Sequence, residues 1–281
     1  MPTRDIITIN STNYMGGNTY SLRFPSTVEF KKGCQLSLYS FSMYNSTFNI
    51  SASQYQNNII YFTWFDGTQY TFKIPDGYYS VSDLNTWLQS QFILKNLYCT
   101  NTTGSQFVYF AQFQTNAIQY KNEIDIFYVP SATSASTFGY VKPTSATWNF
   151  PAVNSMPQLT INNNLKQYFG MSTRTTFGNE TIVKNYEYLS DTTPIISPVF
   201  AYIMTTNICL STYNQVAGVF FQLPVNASFG NLINIQSTMD SKIDIKPGLY
   251  NQLIVQLWSQ DFMPLIFKDP ELTMLLIIST P

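Results

Sequence analysis

Apolar and polar residues alternate with a period of two along most of this chain, and that pattern dictates strands. Tyr20, Leu22 and Phe24 alternate with Ser21 and Arg23, and Leu36 and Leu38 alternate with Ser37 and Tyr39. Ile243 and Ile245 share one face, as do Leu253, Val255 and Leu257. Successive side chains of a strand point to opposite sides, so each run has one face on a core and one facing outward. The sharpest local signal is Ile59–Phe65, then Asp66-Gly67, then Thr68–Ile74. Asp-Gly between two aromatic and β-branched runs predicts a hairpin, because a type I′ turn needs positive φ at both central positions. Phe107–Phe113 and Ala117–Val129 read as a second hairpin around Gln114-Thr115-Asn116.

One segment breaks the period. Val81, Leu84, Leu88 and Phe92 fall on a single helical face, and Ser80 followed by Asp83 reads as a capping box. A helix is therefore expected near residues 80–94, entered through the Pro75-Asp76-Gly77 turn. The stretch from Pro130 to Pro157 is rich in Ser, Thr, Ala and Pro, with Trp148 and Phe150 isolated in it, and reads as a long loop or insertion. The apolar run Leu272–Ile278 cannot lie on an open sheet edge without inviting aggregation. It is expected to be buried on both faces or nearly so, and paired with the strand near Leu253–Trp258. Many short antiparallel strands indicate a sandwich or barrel. The expected organisation is an N-terminal arm at 1–19, reaching a neighbour, and one β domain at 20–281 with an excursion at about 130–198.

Composition narrows the function. Only 10% of the residues are charged, the net charge is −1, and 22 Phe and 20 Tyr stand in 281 residues. A soluble domain is ordinarily about 25% charged, and protein–protein interfaces are depleted of Lys, Glu and Asp and enriched in aromatics. A chain of this kind reads as one covered by neighbours. There is no basic footprint for nucleic acid. No apolar run approaches the roughly 18 residues that span a bilayer, and Met1–Asp5 lacks the apolar stretch of a signal peptide, so a soluble protein made in the cytoplasm is expected.

With no His in the chain, Ser-His-Asp and Cys-His catalysis and His-based metal sites are excluded. Cys34, Cys99 and Cys209 match no zinc or redox spacing, and no phosphate-cradling glycine motif occurs. A glycosidase needs only two carboxylates, but Asp66 and Asp76 fall in turns, Asp83 at a helix start and Asp269 before a proline, where each has a structural task. No catalytic, cofactor-binding or metal-binding residues are expected, and no enzyme. A carbohydrate- or receptor-binding β-sandwich is the competing class. It would require exposed aromatics lining a groove with Asn and Asp beside them, sought first around Trp148 and Phe150.

Four stretches carry a resemblance to a known family. They are Asn57-Asn58 with the following hairpin, Ile74-Pro75-Asp76-Gly77-Tyr78 running into the helix, Tyr168-Phe169-Gly170-Met171, and Tyr250–Ser279 with Gln260-Asp261, Pro264-Leu265 and Asp269-Pro270. Together these resemble the minor capsid, or penton, proteins of virophages and polinton-like double-stranded DNA viruses. Two features depart from that pattern: the Pro130–Pro157 segment is longer, and Gln260-Asp261 reverses the family's Asp-Gln order. The resemblance implies a single jelly roll of two packed antiparallel four-stranded sheets. It also implies homopentamers at the five-fold vertices of an icosahedral virion, contacting neighbouring major capsid protein capsomers. The length is too short for the doubled jelly roll of a major capsid protein.

Overall fold

The computed structural model describes residues 4–101, 104–209, 218–237 and 242–281. Before residue 49 come β1 (Arg4–Asn10), β2 (Tyr14–Gly16), β3 (Thr19–Phe30) and β4 (Gln35–Tyr44). The middle of the chain gives β5 (Ile59–Thr63), β6 (Gln69–Lys73), α1 (Val81–Leu94), β7 (Cys99–Asn101), β8 (Phe107–Val108), β9 (Ala111–Asn116) and β10 (Lys121–Ile126). It continues with α2 (Ala132–Phe138), β11 (Tyr140–Val141), β12 (Gln158–Ile161), α3 (Lys166–Phe169), β13 (Thr176–Phe177) and β14 (Tyr186–Leu189). The last part holds β15 (Ala201–Thr206), β16 (Gly218–Pro224), β17 (Leu232–Gln236), β18 (Ile243–Asp244), β19 (Gly248–Ser259) and β20 (Leu272–Ser279). The fold is all-β. Two compact units result, one from Met1–Phe48 with Val199–Pro281 and the other from Asn49–Pro198.

The two-part unit is a jelly roll. One sheet runs β1-β20-β4-β17 and the other β16-β15-β19-β3-β2, all neighbours antiparallel. Counting the eight principal strands in chain order, the first pairs the eighth (β1 with β20) and the second the seventh (β3 with β19). The third pairs the sixth (β4 with β17) and the fourth the fifth (β15 with β16). That is one long antiparallel hairpin rolled so that successive pairs fall in alternate sheets, the double Greek key of a jelly roll. Each sheet has four principal strands, with β18 and β2 as short additions. Tyr20, Tyr202, Leu253, Val255 and Leu257 from one sheet share a core with Ile9, Leu36, Phe41, Met274 and Leu276 from the other.

Three expectations are corrected here. Residues 4–10 are no arm: they are the outer strand of a sheet, in register with β20 from Arg4↔Ser279 to Asn10↔Thr273, and Ile9 is wholly buried. Residues 1–3 of that expected arm lie outside the described residues. The closing strand does not pair with the Leu253–Trp258 strand, because consecutive strands of a rolled hairpin cross to the opposite sheet; β20 lies between β1 and β4. Nor is it covered on both faces. Leu272, Met274, Leu276 and Ile278 are buried, whereas Thr273 is exposed and Leu275 and Ile277 are half-buried.

The second unit is an insertion between β4 and β15 with its own core. It begins at Asn49 rather than near 130, so the 59–74 hairpin and the long helix belong to it and not to the jelly roll. Both form, although the hairpin turn is not the expected type I′, since Gly67 has positive φ and Asp66 does not, and the Gly67 amide donates to the Trp64 carbonyl at 2.9 Å. Ile59 pairs with Lys73 and Thr63 with Gln69 across a turn in which Gly67 has φ +87 and Asp66 Oδ1 accepts from the Thr68 amide at 2.9 Å. At the start of α1 the Ser80 hydroxyl accepts from the Asp83 amide at 3.1 Å, and the Asp83 carboxylate accepts from the Ser80 amide at 2.9 Å. Val81, Leu84, Leu88 and Phe92 are all buried, and the Phe92 ring lies 4.7 Å from that of Phe62. Each such side chain contributes about 1.5–3 kcal/mol on burial.

The second hairpin turns later than its sequence suggested. β9 runs through Gln114-Thr115-Asn116, and the reversal falls at Ala117–Tyr120, with Tyr120 at φ 53 and Asn116 Oδ1 accepting from the Gln119 amide. The Pro130–Pro157 segment is likewise no bare loop. It holds α2, stopped by Gly139 at φ 69, and β11. Trp148 is buried in this unit's core, 5.3 Å from the Trp64 ring, and its indole N–H donates to the Asn96 carbonyl at 2.7 Å.

Candidate functional site

Three of the four motifs that carry the resemblance serve to fold the inserted unit, and the fourth, Tyr250–Ser279, belongs to the jelly roll. Asn57, 5% exposed, accepts from the Ser51 amide and donates to the Asn49 carbonyl, while Asn58 donates to the Ile74 carbonyl. Asp76 accepts from the Ser51 hydroxyl and the Ala52 amide, and Gly77 exchanges backbone hydrogen bonds with Ile50. The Tyr168 hydroxyl donates to the Tyr79 carbonyl at 2.9 Å, tying the aromatic-Gly element to the turn that launches α1. Gly170, at φ +73, packs so closely that a Cβ would collide with the Thr192 carbonyl oxygen. Only glycine serves there.

Residue chemistry points to surfaces rather than a reaction centre. Among the described residues no group of three or more Cys, Asp and Glu side chains could hold a metal ion. Cys34, Cys99 and Cys209 are buried and free, and burial pushes the Cys99 and Cys209 thiols up to about 12, aided at Cys209 by Asp244. These are inert packing groups. Asp66, Asp76 and Asp83 hold the turn, loop and cap bonds already described, and Asp269 Oδ1 accepts from the Glu271 amide. Asp125 is the exception: 2% exposed, it takes the Gln112 and Gln114 amides on Oδ2 at 2.9 and 2.7 Å and leaves Oδ1 without a partner. Burial pushes its carboxyl up, with smaller additions from Glu123 and Glu187.

The outer face of the β1-β20-β4-β17 sheet is neutral. Its rows read Asn10–Thr273–Ser42–Asn234, Thr8–Leu275–Ser40–Gln236 and Ile6–Ile277–Ser37. Charge enters at the end row, Arg4–Ser279–Gln35–Asp244, and beyond the opposite end, where the exposed Glu271 lies near Tyr44 and Leu232. Ile6 is 71% exposed and Leu232 48%, with Tyr39 and Tyr44 also open. A sheet face that carries apolar and amide groups but almost no charge has the composition of a covered surface. The only ion pair among the described residues joins Arg174 to Glu180 at 2.6 Å, in the inserted unit.

The inserted unit carries a second feature, an aromatic cup of about 300 Å³ lined by Tyr109, Phe127, Tyr128, Phe138, Tyr140 and Asn185 among others. The sequence placed the search for such a groove at Trp148 and Phe150. Trp148 is core and Phe150 packs against it at 5.5 Å. The same segment instead contributes Phe138 and Tyr140, on either side of the α2 cap.

Fold and surfaces thus define an all-β jelly-roll protein with a large insertion and a neutral sheet face. No family model matches this chain, and no curated protein matches it. Among solved structures, it is similar to the mavirus penton protein, with 10% identity and a TM-score of 0.43 over 99% of this chain and 98% of that one. It is also similar to a chain of the Sputnik virophage, with 12% identity and a TM-score of 0.37 over 99% and 97%.

Proposed function

We propose that this chain is a structural protein of a viral capsid, five copies of which form the penton at each five-fold vertex of an icosahedral virion. The observation that carries this reading is the outer face of the jelly-roll sheet, uncharged in the rows from Ile6 to Asn234 and charged only at its two ends. The four sequence stretches that resemble penton proteins support it. Closed rings use heterologous head-to-tail contacts, so two different flanks must be complementary. The sheet face with Ile6, Tyr39, Tyr44 and its amide rows is of the composition such a flank needs, and the same kind of surface suits the neighbouring major capsid protein capsomers. Contacts of this composition are little affected by screening, which acts on exposed charges.

The test is the symmetry of the oligomer in the particle, followed by its dissociation in low and high salt. Five-fold symmetry and a midpoint that shifts less than about threefold over a tenfold range of salt are expected. Three-fold or six-fold symmetry overturns the penton; dissociation by moderate salt overturns the neutral interface alone.

A further inference from the structure

The inner rings of the aromatic cup, Tyr109, Phe127 and Tyr140, pack on the core of the inserted unit, while Phe138 and Asn185 of its lining stay exposed. Of its lining rings, Phe138 and Tyr140 lie 5.6 Å apart at 49°, and Tyr109 is backed by Phe107, outside the lining, with centroids 6.2 Å apart and planes 16° apart. The left-handed Gly139 turns the chain between Phe138 and Tyr140, and the Phe127 amide bonded to the Phe110 carbonyl at 2.9 Å fixes the floor. Phe138 remains 50% exposed, in a unit where most large aromatics are buried or half-buried. The hydroxyls of Tyr109, Tyr128 and Tyr140 and the side chain of Asn185 make no hydrogen bond to another described residue. No carboxylate, lysine or arginine lines the cavity. The neighbouring Lys184 is turned onto the Tyr186 ring, 5.1 Å from its centroid.

We propose that this cup binds a neutral saccharide. Ring faces accept the C–H faces of a pyranose, and phenol hydroxyls and a carboxamide both donate and accept, as sugar hydroxyls require. The absence of lining cations excludes phosphate and sialic-acid recognition, which depends on charge-assisted bonds. The volume lies at the lower end of small-molecule sites, the scale of a mono- or disaccharide. Aromatic grooves also take proline-rich peptides, and decaproline binding is the outcome that separates that occupant from a saccharide. The site is independent of the capsid reading, which rests on the jelly-roll unit.

The experiment uses the full chain. Saturation-transfer difference NMR is recorded with N-acetylglucosamine, mannose, galactose and their disaccharides, with sialic acid and decaproline as comparison ligands, and a glycan array widens the panel. At least one neutral saccharide is expected to bind. Phe138→Ala and Tyr140→Ala are expected to weaken it about tenfold or more, as the loss of a central aromatic contact does. Tyr140→Phe, which keeps the ring, is expected to retain part of that affinity. Because Phe138 is half exposed, its variant should keep the wild-type circular dichroism and melting curve. Silence across the whole panel overturns the proposal, as does saccharide binding unchanged in both alanine variants, or decaproline binding that Phe138→Ala abolishes.

Discussion

Asp125 and Asp191 show how opposite surroundings give two aspartates opposite roles in stability. Asp191 is exposed and gathers the Ser172 and Thr173 amides and both hydroxyls, which hold its carboxyl down at about 2. A depressed value means its stabilisation is present above the unfolded value of 3.8 and lost as the pH falls through about 2. Asp125 is the reverse. Its raised value means its contribution is present below 3.8 and lost as the pH rises through the folded value, since the buried ion is then uncompensated at Oδ1. Asp125→Asn should therefore flatten the decline in melting temperature as the pH rises above the unfolded value of 3.8. An unchanged slope in a melting series would mean that Asp125 does not titrate in this range. Neither environment was legible in the sequence, where Asp125 reads only as a polar residue inside a strand.

Elements were read more faithfully than their partners. The helix was legible because its start is chemically marked by Ser80 and Asp83, its face by Val81, Leu84, Leu88 and Phe92, and both signals lie within a few turns of one another. The hairpin at Asp66-Gly67 was legible for the same local reason. β20 was recognised as a strand from its apolar run, but not where it lay. Its partners, β1 and β4, are more than 200 residues away in sequence, and no local signal records them. Central placement makes its inward residues sensitive. Leu276 is fully buried, so Leu276→Ala should cost about 2–5 kcal/mol by chemical denaturation. Leu276→Asp should yield no soluble protein, because an unpaired buried charge exceeds what a domain can spare. A soluble, assembled Leu276→Asp protein would refute the burial of that face.

At the scale of the whole molecule, the chain is a jelly roll interrupted after its third principal strand. The interruption, Asn49–Pro198, has a core drawn from its own residues, among them Phe62, Trp64, Phe92, Ile124, Trp148 and Phe169. Its backbone pairing is internal as well: β12 pairs with β5 and β13, and β10 with β9 and β14. A fragment of residues 49–198 should consequently fold alone and melt cooperatively, with dispersed amide signals in a heteronuclear NMR spectrum. Collapsed, unstructured signals would show that it needs the jelly roll.

By itself the sequence determined the all-β class, the helix, the first hairpin and the scarcity of charge, because periodicity, capping and turn chemistry act over a few residues. The tertiary structure alone decided that residues 4–10 close a sheet, that the insertion begins at Asn49, and that Phe138 and Tyr140 rather than Trp148 line a cup. Each of those depends on which distant strand or ring arrives alongside. A period-two pattern fixes which face of a strand is apolar, but carries no record of the partner that will cover it.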